Sequence, residues 1–302
     1  MKKIATIGAA LVDVYLTSDV FAPQEKNGQQ VLCQPYGHKI EIQDHEVTTG
    51  GAATNVAVAL AKRGHDVSII AELGRDYFAT MVKNELVRER VNTAYIIQEK
   101  MEKTGCSVIM RGPDGGRTVM VSRSASAMLD DYDIPLEFLS TRDWFHLSSV
   151  GGNLNALGEI WKVFDMSDIN FSWNPGTQEI KHICSGKIRL PETTNSVFLV
   201  NAHEWELAKK KQTDILQAFY YVVVTAGGEG GTVWVQGEEK IHFPAKTAEP
   251  AFEETGAGDA FGAAFISTLL YDRPVEEAIV AATNNADSVI RFVGAKKGLL
   301  NF

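Results

Sequence analysis

Near its carboxyl end the chain reads ETGAGDAFG over residues 254–262, just where a strong helix pattern begins. The residues at this point, Thr255, Gly256, Ala257 and Gly258, are all small. A turn of small residues lets backbone N–H groups point at an anion, and the dipole of the following helix adds partial positive charge there. The turn is therefore a candidate anion hole at a helix N-terminus.

Asp259 is the acidic residue of this stretch. A carboxylate at an anion site would repel the ligand, unless its role is to take a proton. Asp259 is therefore a candidate base beside a transferring phosphoryl group. On the residues alone, the alternative is that Asp259 only caps the helix.

Working outward from this segment, strand-like and helix-like stretches alternate along the chain. Strands are predicted at residues 4–7, 67–71, 144–147, 170–173, 197–200 and 221–225, with a hairpin over 231–243. Helices are predicted at 52–63, 77–90, about 155–165, from about 203, at 257–270 and at 274–292. Repeated βα units predict an α/β fold with a mostly parallel central sheet and helices on both faces. We expect one domain over residues 1–302.

Two polar regions do not fit into that sheet. Residues 14–48 mix prolines, glycines and short alternating pieces, and residues 103–125 contain a hairpin signal at 112–116. We expect exposed strands there, forming a small β-sheet lid beside the carboxyl edge of the main sheet, where α/β folds bind ligands.

Composition narrows the class of protein. The 302 residues include 29 basic and 38 acidic side chains, a net charge of −9 without a basic cluster, which argues against a nucleic-acid or membrane partner. Three widely spaced cysteines predict neither a disulfide framework nor a zinc site and fit a reducing compartment. The sequence shows neither a signal peptide nor a membrane span, so a cytoplasmic location is expected.

A second motif opens the first predicted helix. Gly50 and Gly51 allow close backbone approach to a ligand, and Asn55 offers a donor and an acceptor one turn later. The alternative is tight packing of helix on strand. Asp13, just past the first strand, is a carboxylate that can accept hydrogen bonds from substrate hydroxyls.

A third motif, Asn201 and Glu204, stands at a junction of strand and helix. An amide and a carboxylate at this spacing can hold Mg²⁺ through water, and Glu204 is the candidate metal residue. The alternative is a capping box, with Asn201 as the cap and Glu204 reaching back to it.

The fourth motif is a glycine-rich loop after a strand, containing Thr225, Gly227 and Gly230. Such a loop can cradle a nucleotide phosphate. It is not a dinucleotide fingerprint, because a strand follows it rather than a helix, and the chain contains no P-loop motif.

In their order along the chain these motifs resemble the ribokinase-like (PfkB) family of carbohydrate kinases. The family patterns D-T-x-G-A-G-D-x-F, G-G-x-x-x-N, N-x-x-E and T-x-G-x-x-G are matched at residues 253–261, 50–55, 201–204 and 225–230. A closing N-x-x-S-V-[VI]-x-x-x-G-A pattern is matched by Asn285, Ser288, Val289, Ile290, Gly294 and Ala295.

The resemblance implies a role for each motif. Asp259 would be the general base, and the amides of Gly256, Ala257 and Gly258 the anion hole for the γ-phosphate of ATP. Mg²⁺ and the phosphates would be organised by Asn201 and Glu204. The nucleotide would be lined by Thr225, Gly227, Gly230 and Asn285. The substrate's hydroxyls would be held by Asp13, Gly50, Gly51 and Asn55 under the lid.

The chain departs from the family where Glu253 replaces the usual Asp and Glu254 the usual Thr. In many members that Asp helps to coordinate a monovalent cation. Glu is one methylene longer, so the resemblance leaves a K⁺ requirement open.

The sequence says least about which substrate accepts the phosphoryl group. Residues 123–127 and 144–149 look similar to stretches of bacterial fructokinases, and Arg123 would add a donor from the lid. Residues 173–178 lean towards the D-P-G pattern of some nucleoside kinases, for which Phe21 or Tyr36 would have to stack on the base. We therefore expect transfer to a primary hydroxyl of a ribose- or fructose-like sugar. A nucleoside kinase and a non-catalytic sugar-binding regulator are the alternatives, and a homodimer through the lid is expected.

Overall fold

The computed structural model describes residues 1–191, 195–246 and 252–301. Its strands are β1 (Lys3–Ile7), β2 (Leu11–Thr17), β3 (Gln24–Lys26), β4 (Gln29–Val31), β5 (Asp44–Gly50), β6 (Asp66–Leu73), β7 (Asn92–Gln98), β8 (Gly105–Arg111), β9 (Arg117–Ser122), β10 (Trp144–Ser148), β11 (Asn170–Asn174), β12 (Ser196–Asn201), β13 (Tyr221–Thr225), β14 (Gly231–Val235) and β15 (Glu239–Phe243). Its helices are α1 (Ala52–Lys62), α2 (Tyr77–Arg88), α3 (Leu136–Leu139), α4 (Leu154–Trp161), α5 (Val163–Met166), α6 (Thr177–Cys184), α7 (Ala202–Leu207), α8 (Gln212–Ala218), α9 (Ala257–Leu270) and α10 (Val275–Val289).

In the described part of the chain, nine strands form one sheet in the order β15-β14-β13-β12-β11-β10-β1-β6-β7. The pairs from β13 to β7 are parallel, whereas β14 and β15 form the antiparallel hairpin predicted at one edge. The predicted α/β class with a mostly parallel sheet is confirmed. The strand β7 at the other edge was not predicted from the sequence.

The sheet separates two hydrophobic layers. Along β1, Ile4 contributes to one layer while Ala5 and Ile7 contribute to the other, because side chains of a strand alternate between its faces. Helices α1, α2, α9 and α10 pack on the first layer, and α3 to α6 with α8 pack on the second. Among the described residues no helix combines the length and apolar character needed to cross a bilayer.

The two polar regions form a small separate sheet in the order β5-β2-β8-β9. The hairpin of β8 and β9 is as predicted, and β2 pairs parallel with β8 and antiparallel with β5. Exposed strand was expected over residues 14–48, but this was wrong for the central strand. β2 begins at Leu11, and its Val12 and Tyr15 are buried; Val12 joins the first hydrophobic layer, and α2 packs against this strand.

The lid sheet is joined to the segment that precedes α9. In β8, Arg111 donates to the carbonyl of Phe252 over 2.7 Å, and its guanidinium lies 4.3 Å from the centre of the Phe252 ring. In β9, Arg117 forms an ion pair with Glu254 at 3.0 Å. Because Arg111 and Arg117 are cross-strand partners, one end of the hairpin holds residues 252–254 in place.

Candidate active site

Two of the sequence motifs meet at a single hydrogen bond. Asn55 lies in the first turn of α1 and Asp259 in the first turn of α9, and the Asn55 amide donates to the Asp259 carboxylate over 2.7 Å. The other polar atom of Asn55, Oδ1, is buried and has no hydrogen-bond partner among the described residues. Asn55 thus holds the candidate base with one end and presents a free acceptor with the other.

Burial sets the protonation behaviour of this carboxylate. Desolvation raises the pKa of Asp259, while the Asn55 hydrogen bond and the nearby Lys296 ammonium lower it. A half-buried carboxylate that keeps a stabilising donor can accept a proton from a bound hydroxyl.

Asp13 lies on β2, close enough to Asp259 for the two carboxylates to repel each other. Burial raises the pKa of Asp13 to about 6, and repulsion from Glu253 and Asp259 adds to the shift. The Ser107 hydroxyl and the charge of Lys296 lower it. The carboxylates of Asp13 and Asp259 therefore belong to one site but differ in their environments.

Gly50 brings the main chain against this carboxylate. A side chain at position 50 would overlap the carboxyl group of Asp13 and displace it, so glycine permits this approach. Gly51 then serves as the N-cap of α1. The structure thus brings Asp13, Gly50, Gly51 and Asn55 together at the mouth of α1.

The turn before α9 is held open by Gly256. Its φ of 81° is left-handed, and a side chain there would overlap Ala295, so glycine is required. The N–H of Ala257 donates to the carbonyl of Glu254 over 3.1 Å, and the first helical bond runs from Ala260 to Gly256 over 2.8 Å. The N–H groups of Gly258 and Asp259 precede that bond and make no backbone hydrogen bond in the described part of the chain, so they are available to an anion.

A cavity of about 200 Å³ opens at the same end of α9. Its lining includes four predicted residues, Asn201, Glu204, Thr225 and Gly258. Asn201 and Glu204 also form the capping box that was the alternative reading: Asn201 accepts from the Glu204 N–H at 2.8 Å, and Glu204 accepts from the Asn201 N–H at 3.0 Å. Since the box uses one carboxylate oxygen, the other is left to face the cavity. Burial raises the pKa of Glu204.

The remaining predicted residues lie further out. Gly227 and Gly230 form the turn beyond Thr225, where the Ala226 N–H donates to Gly230 over 2.7 Å. Asn285 is fully buried, and both ends of its amide are satisfied: Nδ2 donates to the Ala260 carbonyl and Oδ1 accepts from the Leu300 N–H. Its direct contact is with α9 and the C-terminal segment, so it supports the site from behind.

Arg123 is exposed at the end of β9, and its guanidinium has no partner within the described ranges. His146, in the second stretch that suggested a sugar kinase, is buried in the sheet and contacts the Ser172 hydroxyl at 2.8 Å. That stretch therefore reflects packing of the core.

A family model described as pfkB family carbohydrate kinase matches residues 1–300. The chain belongs to the PfkB family. Membership accounts for the order of the motifs and makes the protein a carbohydrate kinase, which agrees with the meeting of Asn55 and Asp259 at the start of α9.

Named relatives of this PfkB protein span most of the chain. The ribokinase of Bacillus subtilis is 24% identical over 303 residues, which is 99% of this chain and 96% of the relative. The fructokinase of Escherichia coli is 29% identical over 240 residues, 73% of this chain and 76% of the relative. An Escherichia coli chain assigned as a ribokinase II and solved with ATP and Mg²⁺ matches in fold with a TM-score of 0.78 at 20% identity, covering 100% of this chain and 96% of that one.

At the position where this PfkB member carries Glu253, the side chain is buried. Its Oε1 accepts from the Thr255 N–H at 3.0 Å and the Thr255 hydroxyl at 2.8 Å, and the Arg117 guanidinium lies 3.8 Å away. Oε2 has no hydrogen-bond partner in the described part of the chain. The lid thus contributes the Arg117 guanidinium beside the carboxylate that stands where the family usually has Asp.

Sequence reasoning missed several residues that shape the site. Lys296, which follows the closing Gly-Ala pair, is buried and bonded to Thr49 and Glu85. Glu179 on α6 is fully buried and accepts from the Ser149 hydroxyl and the N–H groups of residues 150, 152 and 176, which fixes one wall of the cavity. A charged residue directly after the Gly294–Ala295 pair was the signal for Lys296. For Glu179 the signal was weaker, a glutamate three residues into a helix.

Proposed function

We propose that this PfkB-family protein is an ATP-dependent kinase that phosphorylates a primary hydroxyl of a small sugar. The observation that carries the proposal is the bond from Asn55 to Asp259 at the open N-terminus of α9. This bond supports the proposal because it joins a carboxylate at the N-terminus of α9 to Asn55, whose Oδ1 has no hydrogen-bond partner among the described residues.

In the proposed reaction Asp259 takes the proton of the acceptor hydroxyl. The acceptor oxygen forms a bond to the γ-phosphorus, the bond from that phosphorus to the β-phosphate oxygen breaks, and ADP leaves with the electron pair. The N–H groups of Gly258 and Asp259 stabilise the negative charge on the transferring group. Asn55 Oδ1 and the Asp13 carboxylate accept hydrogen bonds from the sugar and so orient it.

The residues around the cavity at the start of α9 fit a nucleotide with its metal ion. Glu204 presents one carboxylate oxygen that its capping box does not use, and carboxylate oxygens suit Mg²⁺ directly or through water. Bound Mg²⁺ would neutralise phosphate charge. Asn201 and Thr225 would position the phosphates, with the turn of Gly227 and Gly230 beyond them for the nucleotide.

The lid favours a sugar over a nucleoside. A nucleoside acceptor would be stabilised by an aromatic platform worth about 1–3 kcal/mol. Of the two aromatic residues considered from the sequence, Phe21 is buried in the structure and Tyr36 is fully exposed on a loop. The polar groups that converge on Asp259 instead suit an acceptor with several hydroxyls. Arg123 remains the proposed donor from the lid.

An assay of ADP release tests the proposal. The purified protein is given Mg-ATP with fructose, ribose, adenosine, inosine or cytidine, and the product is identified by mass and position of the phosphate. We expect turnover of a sugar, and we expect Asp259→Asn to lower kcat by about 10²–10⁴-fold, the usual contribution of a general base. Asp272→Asn, on the exposed turn after α9, is the matched control.

Each outcome separates the candidates. A nucleoside used at least tenfold more efficiently than any sugar would make the protein a nucleoside kinase with the same chemistry. ATP-independent sugar binding without ADP release would indicate a regulator. Near-full activity of Asp259→Asn would refute the assignment of the base.

The lid also supports a proposed homodimer. β9 is an edge strand that pairs with β8, and Val119, Met120 and Val121 on it are about half exposed. An exposed apolar edge strand is normally covered. A second copy of this chain is the proposed cover.

A further inference from the structure

Lys296 is a buried cation at the edge of the site. Its side chain is 9% exposed, on the segment that follows α10. The ammonium group donates to the Thr49 carbonyl at 2.9 Å, the Thr49 hydroxyl at 2.7 Å and the Glu85 carboxylate at 3.0 Å. An ammonium group has three N–H donors, and all three are used by these partners. Lys296 therefore acts on a ligand through its charge and through the residues it holds.

Those residues lead directly to the acceptor site. Thr49 immediately precedes Gly50, whose main chain lies against the Asp13 carboxylate. Thr49 also donates to Glu85 through its hydroxyl, so β5, α2 and the C-terminal segment are tied together at this point. Movement of Thr49 would move the turn that opens α1.

The charge of Lys296 reaches both carboxylates of the site. It lowers the pKa of Asp13 and of Asp259, and these two groups together with Glu85 in turn raise the pKa of Lys296, which burial lowers. Glu253, from the segment before α9, faces Asp13 with the opposite effect. The ammonium of Lys296 therefore interacts with Asp259, Asp13 and Glu85, and Glu253 opposes it at Asp13.

We propose that Lys296 is a positioning residue for phosphoryl transfer, whose hydrogen bonds to Thr49 hold the turn of Thr49 and Gly50 against Asp13 and whose buried charge serves the carboxylates of Asp13 and Asp259. This inference rests on the proposed function. It assigns to Lys296 no contact with the acceptor or with ATP. A lysine that only stabilised the fold would lower activity equally at every pH, or not at all.

The test is the pH profile of kcat/KM for the sugar at saturating Mg-ATP. Lys296→Gln removes the charge and keeps a donor for Thr49, while Lys296→Arg keeps the charge. The control is Lys297→Met, because the neighbouring Lys297 is 56% exposed and pairs with Glu46 on the surface. Thermal unfolding of each variant reports on the fold.

Loss of the positive charge favours the protonated form of Asp259, so activity should be lost on the acidic side. We expect kcat/KM of Lys296→Gln to fall about tenfold at pH 6 and to stay within about threefold of wild type at pH 9, as for a charge acting at low effective dielectric. Lys296→Arg and Lys297→Met should keep the wild-type profile. Lys296→Met, whose apolar chain suits the buried position, is a second neutral variant and should show the same acidic loss.

Wild-type turnover is measured first, so that failure of the kinase proposal is seen there and separately. In an active wild type, a profile of Lys296→Gln or Lys296→Met that runs parallel to the wild-type profile overturns the role of Lys296 and leaves the kinase reaction standing.

Discussion

The amide of Asn55 and the carboxylate of Asp259 are joined over 2.7 Å across 204 positions of the chain. Helices α1 and α9 pack on the same hydrophobic layer, so their N-termini meet and each residue fixes the other's orientation. One carboxylate oxygen of Asp259 is held by the amide, which leaves the other to take a proton. The pair therefore links recognition of the acceptor to its deprotonation.

Replacing Asn55 by Asp should replace this hydrogen bond by repulsion between two carboxylates. Two carboxylates at hydrogen-bond distance cannot both ionise easily, so they share a proton and the pKa of the pair rises. The direction of the pH dependence follows from this: at low pH the base is protonated and activity is low, and activity returns as the pH rises. In a kcat/KM profile we expect Asn55→Asp to lose about 100-fold at pH 6 and clearly less at pH 9.

The matched control for this change is Asn155→Asp, on the exposed first turn of α4. It makes the same chemical substitution away from the site and should leave the profile unchanged. Equal fractional loss at pH 6 and pH 9 in Asn55→Asp would argue that Asn55 and Asp259 are not coupled during turnover.

Glu204 can be tested without destroying its capping box. In Glu204→Gln the side chain still accepts from the Asn201 N–H, so α7 should keep its start. Loss of the negative charge should raise the Mg²⁺ concentration for half-maximal activity by about 10–100-fold, the usual effect on a group near a metal ion. The measurement is ADP release as a function of Mg²⁺ at fixed ATP.

Glu206→Gln provides the comparison, because Glu206 lies on the same helix and its carboxylate is exposed and paired with Lys209. Should both variants need the same Mg²⁺ as wild type, Glu204 has only its structural role as a cap.

The motifs could be predicted because each one is local. A glycine pair before a helix and small residues before Asp259 fix the main chain over a few positions, and burial of α1 and α9 on one sheet then brings them together. The strand β7 was missed since its sequence, NTAYIIQ, starts polar and joins the sheet at an edge. Its pairing with β6 is a non-local contact that no short pattern contains.

Two further differences come from long-range packing. β2 carries Asp13 among apolar residues, and this pattern predicts an exposed strand. In the structure β2 is the inner strand of the lid sheet, because it pairs with β5 on one side and β8 on the other. Lys296 stands 247 positions from Thr49, so its hydrogen bonds could not be foreseen from spacing. In both cases a polar group is buried because several elements meet around it. At such functional sites the local sequence pattern does not predict the burial.

The edge strand β9 predicts the oligomeric state. Val119 and Val121 share one face of the strand and are each nearly half exposed. We expect sedimentation at micromolar concentration to show a dimer, and Val119→Lys combined with Val121→Lys to yield a monomer, since charges on an edge strand prevent pairing. Val87→Lys on the exposed face of α2 is the control. A wild-type monomer under these conditions would count against the lid interface.

Glu72 gives a prediction on stability that is independent of the active site. It lies on β6 with 2% exposure, and its Oε2 has no hydrogen-bond partner among the described residues. Burial, with repulsion from Asp133, Glu99 and Asp130, raises the pKa of Glu72 from 4.5 to about 8. The folded protein therefore holds a proton that the unfolded chain releases above its ordinary pKa.

The sign of the effect follows from linkage. Between about pH 4.5 and pH 8 the folded state binds more protons than the unfolded state, so stability falls as the pH rises. Glu72→Gln is neutral throughout and escapes this cost, which amounts to about 5 kcal/mol across the window at about 1.4 kcal/mol per pKa unit. Urea unfolding should show that the free energy of unfolding of Glu72→Gln, relative to that of wild type, increases from pH 5 to pH 7 and again to pH 8.5. Glu206→Gln should show no such gain, and parallel stability curves for Glu72→Gln and wild type would mean that Glu72 is ionised in the folded protein at neutral pH.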